Sequence, residues 1–389
     1  MLRFLKIIKI NYTFSVPMRA NICIVTNIIP EYRQAIYKLI DYEWNTVWYT
    51  GKNKGDIIDI KGVSDGTLKN IQWVENKQCQ GNWYWQRGVS KVMMKPQYSH
   101  YIMTGEIYCL STWWNLIQHK LFYRKKKVYL WSHGWYGRET FSKKWLKRIF
   151  FGMADKVFTY GNYAKEKAIE QGFKADKIVT IHNSLDHSHQ IEIRKVLTNS
   201  DVYTTHFKNS HPTLIFIGRL TTVKRLDLLL KALQILKKKG HIYNLVLIGG
   251  GEEKERLEEQ ASDLYLSDNI WFYGPCYDEK ENAQLIYDAD LCVAPGNVGL
   301  TAMHTMVFGT PVLTHDDFTW QMPEFEAIIP EKTGAFFKRN DIHSLANEIQ
   351  NWFDNHKNER QNIRELCYKE IDTNWTPEYQ LNILKSIIN

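Results

Sequence analysis

The sequence predicts an α/β protein made of two doubly wound, parallel-sheet domains in tandem. Three observations carry that reading. Short β-branched runs alternate with segments of helical spacing along most of the chain, the pattern of a parallel sheet covered on both faces. The alternation fades between about 187 and 212 into polar, turn-prone residues and then restarts. A chain of 389 residues also exceeds one comfortable core, so two domains of ordinary size are expected.

Taken in order, "ANICIVTNII" is a strand ending in a polar loop, and "EYRQAIYKLID" follows it with helical spacing. "TVWYTG" and "IIDIKG" read as further strands, and "SHYIMTGE" and "KKVYLWSHG" as apolar runs ending in small or polar residues. "KVFTYG" precedes a helix over about 162–172, and "KIVTIHNSLD" supplies another strand and loop. The second half is clearer. "TLIFIG", "NLVLIGG", "NIWFYG", "DLCVAPG" and "TPVLTH" are strands, with "KRLDLLLKALQILKKKG", "EEKERLEEQASDL", "ENAQLIYDA" and "GLTAMHTMVF" as the helices between them. The expected division is an extension over 1–17, a first domain over 18–205 and a second over 206–370, with a helix over 371–389 returning to the first domain. Ligands in such sheets bind beyond the carboxyl ends of the strands, so the cleft between the domains is the expected site.

The composition, 44% hydrophobic and 24% charged, excludes a disordered chain. A formal charge of +8 and a pI near 8.9 favour anionic partners: nucleic acid, anionic lipid or a phosphorylated small molecule. The six cysteines form no CxxC pair and several sit in apolar runs, which reads as free thiols in a reducing, cytoplasmic setting. No apolar run approaches the roughly 18–20 residues of a membrane-spanning helix. In "MLRFLKIIKINYTFSVPM", Arg3, Lys6 and Lys9 break the apolar residues, so the continuous core of a signal peptide is missing. The segment reads either as a weak basic amphipathic stretch or as residues ahead of a translation start at Met18.

Four motifs bear on chemistry. In "FIGRLTTVKRL", Arg219 follows a strand and Lys224 stands at the first turn of the next helix. Cations there are unfavourable unless an anion is present, and free N–H groups converge with them, so the pair suits a diphosphate better than a merely solvated helix start. "LIGGGEEKERL" lacks the G-x-G-x-x-G register, and Glu252 and Glu253 suit the helix dipole without a ligand, so it reads as structural. "YDADL" holds Asp288 and Asp290 across a helix end and a strand start, where two carboxylates need not converge on a metal. "YLWSHGWYGRET" puts His133 at the end of an apolar strand, facing the cleft as a hydrogen-bonding or acid–base group.

In this order the segments resemble the glycosyltransferase group 1 family, also called family 4 glycosyltransferases, which have the GT-B fold of two Rossmann-like domains facing across a cleft. The resemblance is strong over about 212–340 and fair over about 128–186. It rests on "GRL" with a following lysine, "GGGEEKERL", "IWFYGPCYDEKENAQLIYDADLCVAPG", "GLTAMHTMVFGTPV", "EKTGAFF", "WSHG" and "IHNSLD". It implies that Arg219 and Lys224, beside Gly218, hold the diphosphate of a nucleoside diphosphate sugar. Gly274, Pro275 and Cys276 would cup the base, and Asn297, Val298, Gly299 and Leu300 would offer backbone N–H groups to the donor. His133 would be the catalytic group reaching the sugar or reacting oxygens. Tyr32, Arg33 and Asn183 are the acceptor-side candidates, and no metal or other cofactor is implied.

The resemblance breaks at two positions. The family has glutamates where this chain has Gly296 and His304. His304 retains a hydrogen-bonding role toward a ribose hydroxyl or phosphate, on a helix side shared with Thr301 and facing the cleft, and His304→Glu is expected to be tolerated better than alanine. Gly296 offers backbone only. Glu324 and Glu326 in "QMPEFEA" are near enough in chain order to supply a carboxylate, but a solvated loop is the stronger reading. Around "KLFYRKKK" and "KKWLKRIFF", basic residues beside aromatics fit either an anionic membrane surface or a solvated basic face. The expected activity is glycosyl transfer to a glycan or lipid-linked acceptor, with retention, for a surface polysaccharide. Two rivals remain: a non-catalytic sugar-nucleotide-binding or scaffold protein, and a nucleic-acid-binding protein. The latter lacks any helix-turn-helix or RNP-type signature.

Overall fold

The computed structural model describes residues 21–52, 62–64 and 66–388. The 1–17 extension, Met18 and most of "IIDIKG" lie outside the described residues. The first domain contains β1 (Asn21–Thr26), β2 (Asn45–Gly51), β3 (Ile71–Val74), a small antiparallel hairpin of β4 (Asn76–Gln78) and β5 (Tyr84–Gln86), then β6 (His100–Thr104), β7 (Lys127–Ser132), β8 (Lys156–Thr159) and β9 (Ile178–Thr180). Seven of these strands form one parallel sheet in the order β3-β2-β1-β6-β7-β8-β9. Both faces of β1 are buried: Cys23 and Val25 join one apolar cluster, Ile22 and Ile24 the other. That is the period-two alternation of a strand covered on both sides.

The second domain holds β10 (Thr213–Ile217), β11 (Asn244–Ile248), β12 (Ile270–Gly274), β13 (Leu291–Ala294), β14 (Val312–His315) and β15 (Gly334–Phe337), parallel in the order β12-β11-β10-β13-β14-β15. Helix Leu226–Lys238 covers this sheet through Leu229, Leu230, Leu233 and Leu236, all buried. The strand order reverses on either side of β1 in the first sheet and of β10 in the second. Crevices beyond the carboxyl ends of the strands open at such points, and they place everything that follows.

The structure moves both expected domain limits. A boundary at 205/206 would cut through packed structure, because helices His187–Arg194 and Val202–Phe207 belong to the second domain. Ile193 and Tyr203 are buried in its core, and the Tyr203 hydroxyl donates to the Leu285 carbonyl at 2.5 Å. These helices are too short to show a clear period. The return to the first domain is also later than residue 371. Helix Arg360–Asn374 stays with the second core through Cys367 and Ile371, and the chain turns at Trp375 and Thr376. Helix Pro377–Ile388 then buries Leu384 and Ile388 against Ile36, Ile40 and Trp48 of the first domain. All six cysteines are free. Among the described residues no helix is long and apolar enough to cross a membrane.

Candidate active site

On the second domain, most of the expected donor residues gather beyond the carboxyl ends of β10 and β13. β10 ends at Ile217, and Arg219 stands exposed two residues later. A turn at Thr222–Lys224 brings the Lys224 Nζ back to donate to the Asn297 carbonyl at 2.7 Å and its Oδ1 at 2.9 Å. Burial lowers the Lys224 ammonium to about 8, with Arg219 pushing the same way and Glu324 opposing. An arriving anion would favour the charged form of this amine and raise it again. Gly299, at φ 54, begins helix Leu300–Met306, and Thr301 donates to the Ile217 carbonyl at 2.9 Å, tying that helix to β10. Gly274, Pro275 and Cys276 sit at the end of β12 beside the glycine turn, with the Gly249 N–H donating to the Gly274 carbonyl at 2.9 Å.

Two expectations need correction here. The Val298 N–H is not offered to a ligand, because it donates to the Gln321 Oε1 at 2.9 Å. Thr301 does not face the cleft, since it is buried on β10. The side chain missing at Gly296 has no room either: a Cβ there would run into the Val223 carbonyl and the Lys224 backbone, and the Gly296 N–H donates to the Lys224 carbonyl at 2.9 Å. The Thr222–Lys224 turn thus lies against the position where the family carries a carboxylate.

A carboxylate does stand at the other changed position. His304 Nε2 lies 3.1 and 3.2 Å from the two oxygens of Glu279, which also accepts from the Gln190 amide at 2.9 Å. Burial alone would raise Glu279, but the hydrogen bond and charge of His304 outweigh it and hold the group below its ordinary value. Sequence reading missed Glu279. It opens helix Glu279–Asp288, behind the Asp278 cap, and only tertiary packing brings it to His304. Asp288 and Asp290 diverge. The first accepts from the Ser200 N–H and hydroxyl at 3.1 and 2.5 Å, the second from the Thr213 N–H at 2.8 Å.

The first domain opens a cavity of about 780 Å³ beyond β1, β6 and β7, lined among others by Tyr32, Arg33, Glu106, Tyr108 and His133. Arg33 hydrogen-bonds the Tyr160 hydroxyl and lies over that ring at 4.4 Å. Glu106 accepts from the Tyr84 hydroxyl at 3.0 Å and the Asn27 amide at 3.3 Å. His133 follows β7, with its ring 4.8 Å from that of Tyr160. The loop after it is pinned by buried Lys147, which bonds the Gly134 carbonyl at 2.6 Å and Glu139 at 2.7 Å. Glu139 in turn accepts from the Tyr136 and Gly137 N–H groups at 2.8 and 3.0 Å. His133 also borders Phe318, Gln321 and Glu326 of the second domain, so it stands where the two halves meet.

Asn183 is elsewhere. It is buried at the junction of the domains, donating to the Glu324 Oε1 at 2.8 Å and accepting from the Ser184 N–H at 3.0 Å. Glu324 and Glu326 do not form a solvated loop. Glu324 is 2% exposed, and burial raises its carboxyl against the opposing pull of Asn183, Arg33 and Lys224. Glu326 accepts the N–H groups of Asn162 and Tyr163, each at 2.7 Å, and so caps a helix of the other domain.

Two Rossmann-like sheets facing across a cleft, joined by a crossing carboxy-terminal helix, make this a GT-B fold. Anabaena HepE, solved in complex with UDP, superposes with a TM-score of 0.69 at 16% identity, covering 94% of this chain and 99% of that one. Residues 201–369 match the family model described as glycosyl transferases group 1. Among curated relatives, the O-antigen biosynthesis glycosyltransferase WbnH of Escherichia coli is 26% identical over 273 residues, 67% of this chain and 70% of WbnH. An uncharacterized glycosyltransferase of Haemophilus influenzae is 24% identical over 197 residues, and the match spans 49% of this chain and 50% of that relative.

Proposed function

We propose that the protein is a hexosyltransferase that moves a sugar from a nucleoside diphosphate sugar to a glycan or lipid-linked acceptor, in the cytoplasm, during surface-polysaccharide synthesis. The observation that carries this reading is that Arg219 and the half-buried Lys224, whose ammonium desolvation lowers to about 8, both stand where β10 and β13 end. A diphosphate at that place would meet both cations, Arg219 through its guanidinium fork and Lys224 as a point charge. HepE, with UDP bound, supports a uridine nucleotide, and WbnH supports an O-antigen-like glycan. The cavity over β1 and β6 suits the acceptor, because aromatic walls with fixed carboxylate and amide groups are what a saccharide recognises. Retention and the lack of a metal requirement follow from the group 1 resemblance. The separate engagement of Asp288 and Asp290 supports the latter.

In this reading Lys224 and Arg219 neutralise the leaving diphosphate, while His133 meets the transferred sugar or the reacting oxygens from the opposite domain. A non-catalytic sugar-nucleotide-binding protein is the second reading, favoured by the backbone that lies against Gly296. The test is thermal stabilisation across a panel of nucleoside diphosphates and their sugars, followed by a donor-hydrolysis assay in excess chelator. Stabilisation together with chelator-resistant hydrolysis supports the enzyme. Stabilisation without any turnover supports the second reading, and no stabilisation removes both.

A further inference from the structure

Two neighbouring helices of the first domain carry an outward apolar face that none of the described residues covers. On helix Leu110–Phe122 the exposed large residues are Trp114, Ile117 and Leu121, spaced three and four apart on one side, followed by Phe122 at 73% exposure. On helix Phe141–Gly152 they are Phe141, Trp145 and Ile149, at strict four-residue spacing, with Phe141 at 87% and Trp145 at 60% exposure. The helices touch through Trp113 and Phe150, whose rings are 4.9 Å apart. Apolar side chains so exposed and so aligned mark an interaction surface rather than ordinary scatter.

The charge around these stripes identifies the partner. Residues 110–127 and 141–152 include no acidic side chain, while Lys120, Arg124, Lys125, Lys144 and Arg148 surround the apolar residues. We propose that this face docks in the plane of an anionic lipid bilayer, with aromatic and aliphatic side chains in the interfacial layer and the cations among headgroup phosphates. A second copy of the chain is a poor occupant, because two such faces would bring like charges together. The face adjoins the first domain's cavity: Tyr108, which lines it, lies just before one helix, and Lys143, which also lines it, belongs to the other. A docked protein would therefore open this cavity toward the membrane surface. The inference concerns binding alone and is measured without nucleotide, so it stands or falls separately from the transferase reading.

The experiment is co-sedimentation of the full chain with phosphatidylcholine vesicles, with and without phosphatidylglycerol. The wild type should bind the phosphatidylglycerol vesicles, and less so as salt rises. Phe141→Ser/Trp145→Ser and Lys125→Ala/Lys144→Ala should each lose about ten-fold in binding, with the melting temperature unchanged because all four side chains lie at the surface. Absence of wild-type binding overturns the proposal, as does equal binding by both variants. A wild-type dimer in light scattering that dissociates in Phe141→Ser/Trp145→Ser also overturns it and assigns the face to self-association.

Discussion

Glu279 changes what His304 can be asked to do. If His304 meets the donor it does so through Nδ1, because Nε2 lies on the Glu279 carboxylate. His304→Ala should raise the donor KM about five-fold, the worth of a hydrogen bond of roughly 1 kcal/mol, with little loss of melting temperature. His304→Glu, expected from sequence to be tolerated, would instead place two carboxylates together. It should be worse than alanine alone and recover when combined with Glu279→Gln. Steady-state donor kinetics on the four proteins check this, and a KM untouched by His304→Ala would return the residue to the core. The pairing was not legible in the sequence, because 25 positions separate the partners and only folding joins them.

Lys224 yields a second test at the same scale. Its folded value of about 8 lies below the ordinary 10.5, so between those limits the unfolded chain holds more protons than the folded one. Stability of the unliganded protein should therefore rise with pH across that window, and the rise should vanish in Lys224→Met. A bound diphosphate raises the ammonium again, so donor binding above pH 8 takes up a proton and weakens. Calorimetric titrations at about pH 7 and about pH 9 should show that loss in the wild type and none in Lys224→Met. A pH-independent affinity would remove Lys224 from the diphosphate.

At the scale of elements, polar contacts fasten the two domains beside the apolar packing of Leu384 and Ile388 on the first domain and of Tyr163 on Phe318 and Phe325. Glu326 caps helix Asn162–Glu170 of the opposite domain, and Gly161 makes that possible, since a Cβ there would meet the Glu326 carboxylate. Gly161→Ala should displace the cap and cost about 0.5–2 kcal/mol, the range for a lost helix cap. Glu326→Gln keeps an acceptor and should cost less. Thermal melts and limited proteolysis of the inter-domain segments distinguish them, and equal melting temperatures would mean the cap contributes nothing. The elements themselves were legible where both faces are apolar, as in "TLIFIG" and "NLVLIGG". The hairpin of β4 and β5, the edge strand β3, and helices His187–Arg194 and Val202–Phe207 are too short to show a clear period and so escaped. "QMPEFEA" read as solvated for a related reason: nothing local to it reveals that another domain's helix end lies above it.

For the whole molecule, the sequence carried the architecture because a parallel sheet buried on both faces writes itself as uninterrupted apolar runs. It carried the neighbourhood of Arg219, Lys224 and Asn297 because the segments that follow parallel strands gather at one end of the sheet. It did not carry the geometry between the halves, where Asn183 and Glu324 proved to be a joint and His133 a neighbour of the second domain. The central claim remains that Arg219 and Lys224 grip the donor diphosphate where β10 and β13 end. Calorimetric titration of the wild type and Arg219→Ala with the best-binding nucleoside diphosphate tests it most directly. The account predicts a loss of roughly 1.5–3 kcal/mol in the alanine variant, only partly recovered in Arg219→Lys because the guanidinium fork is gone. An affinity equal to that of the wild type in Arg219→Ala would contradict it.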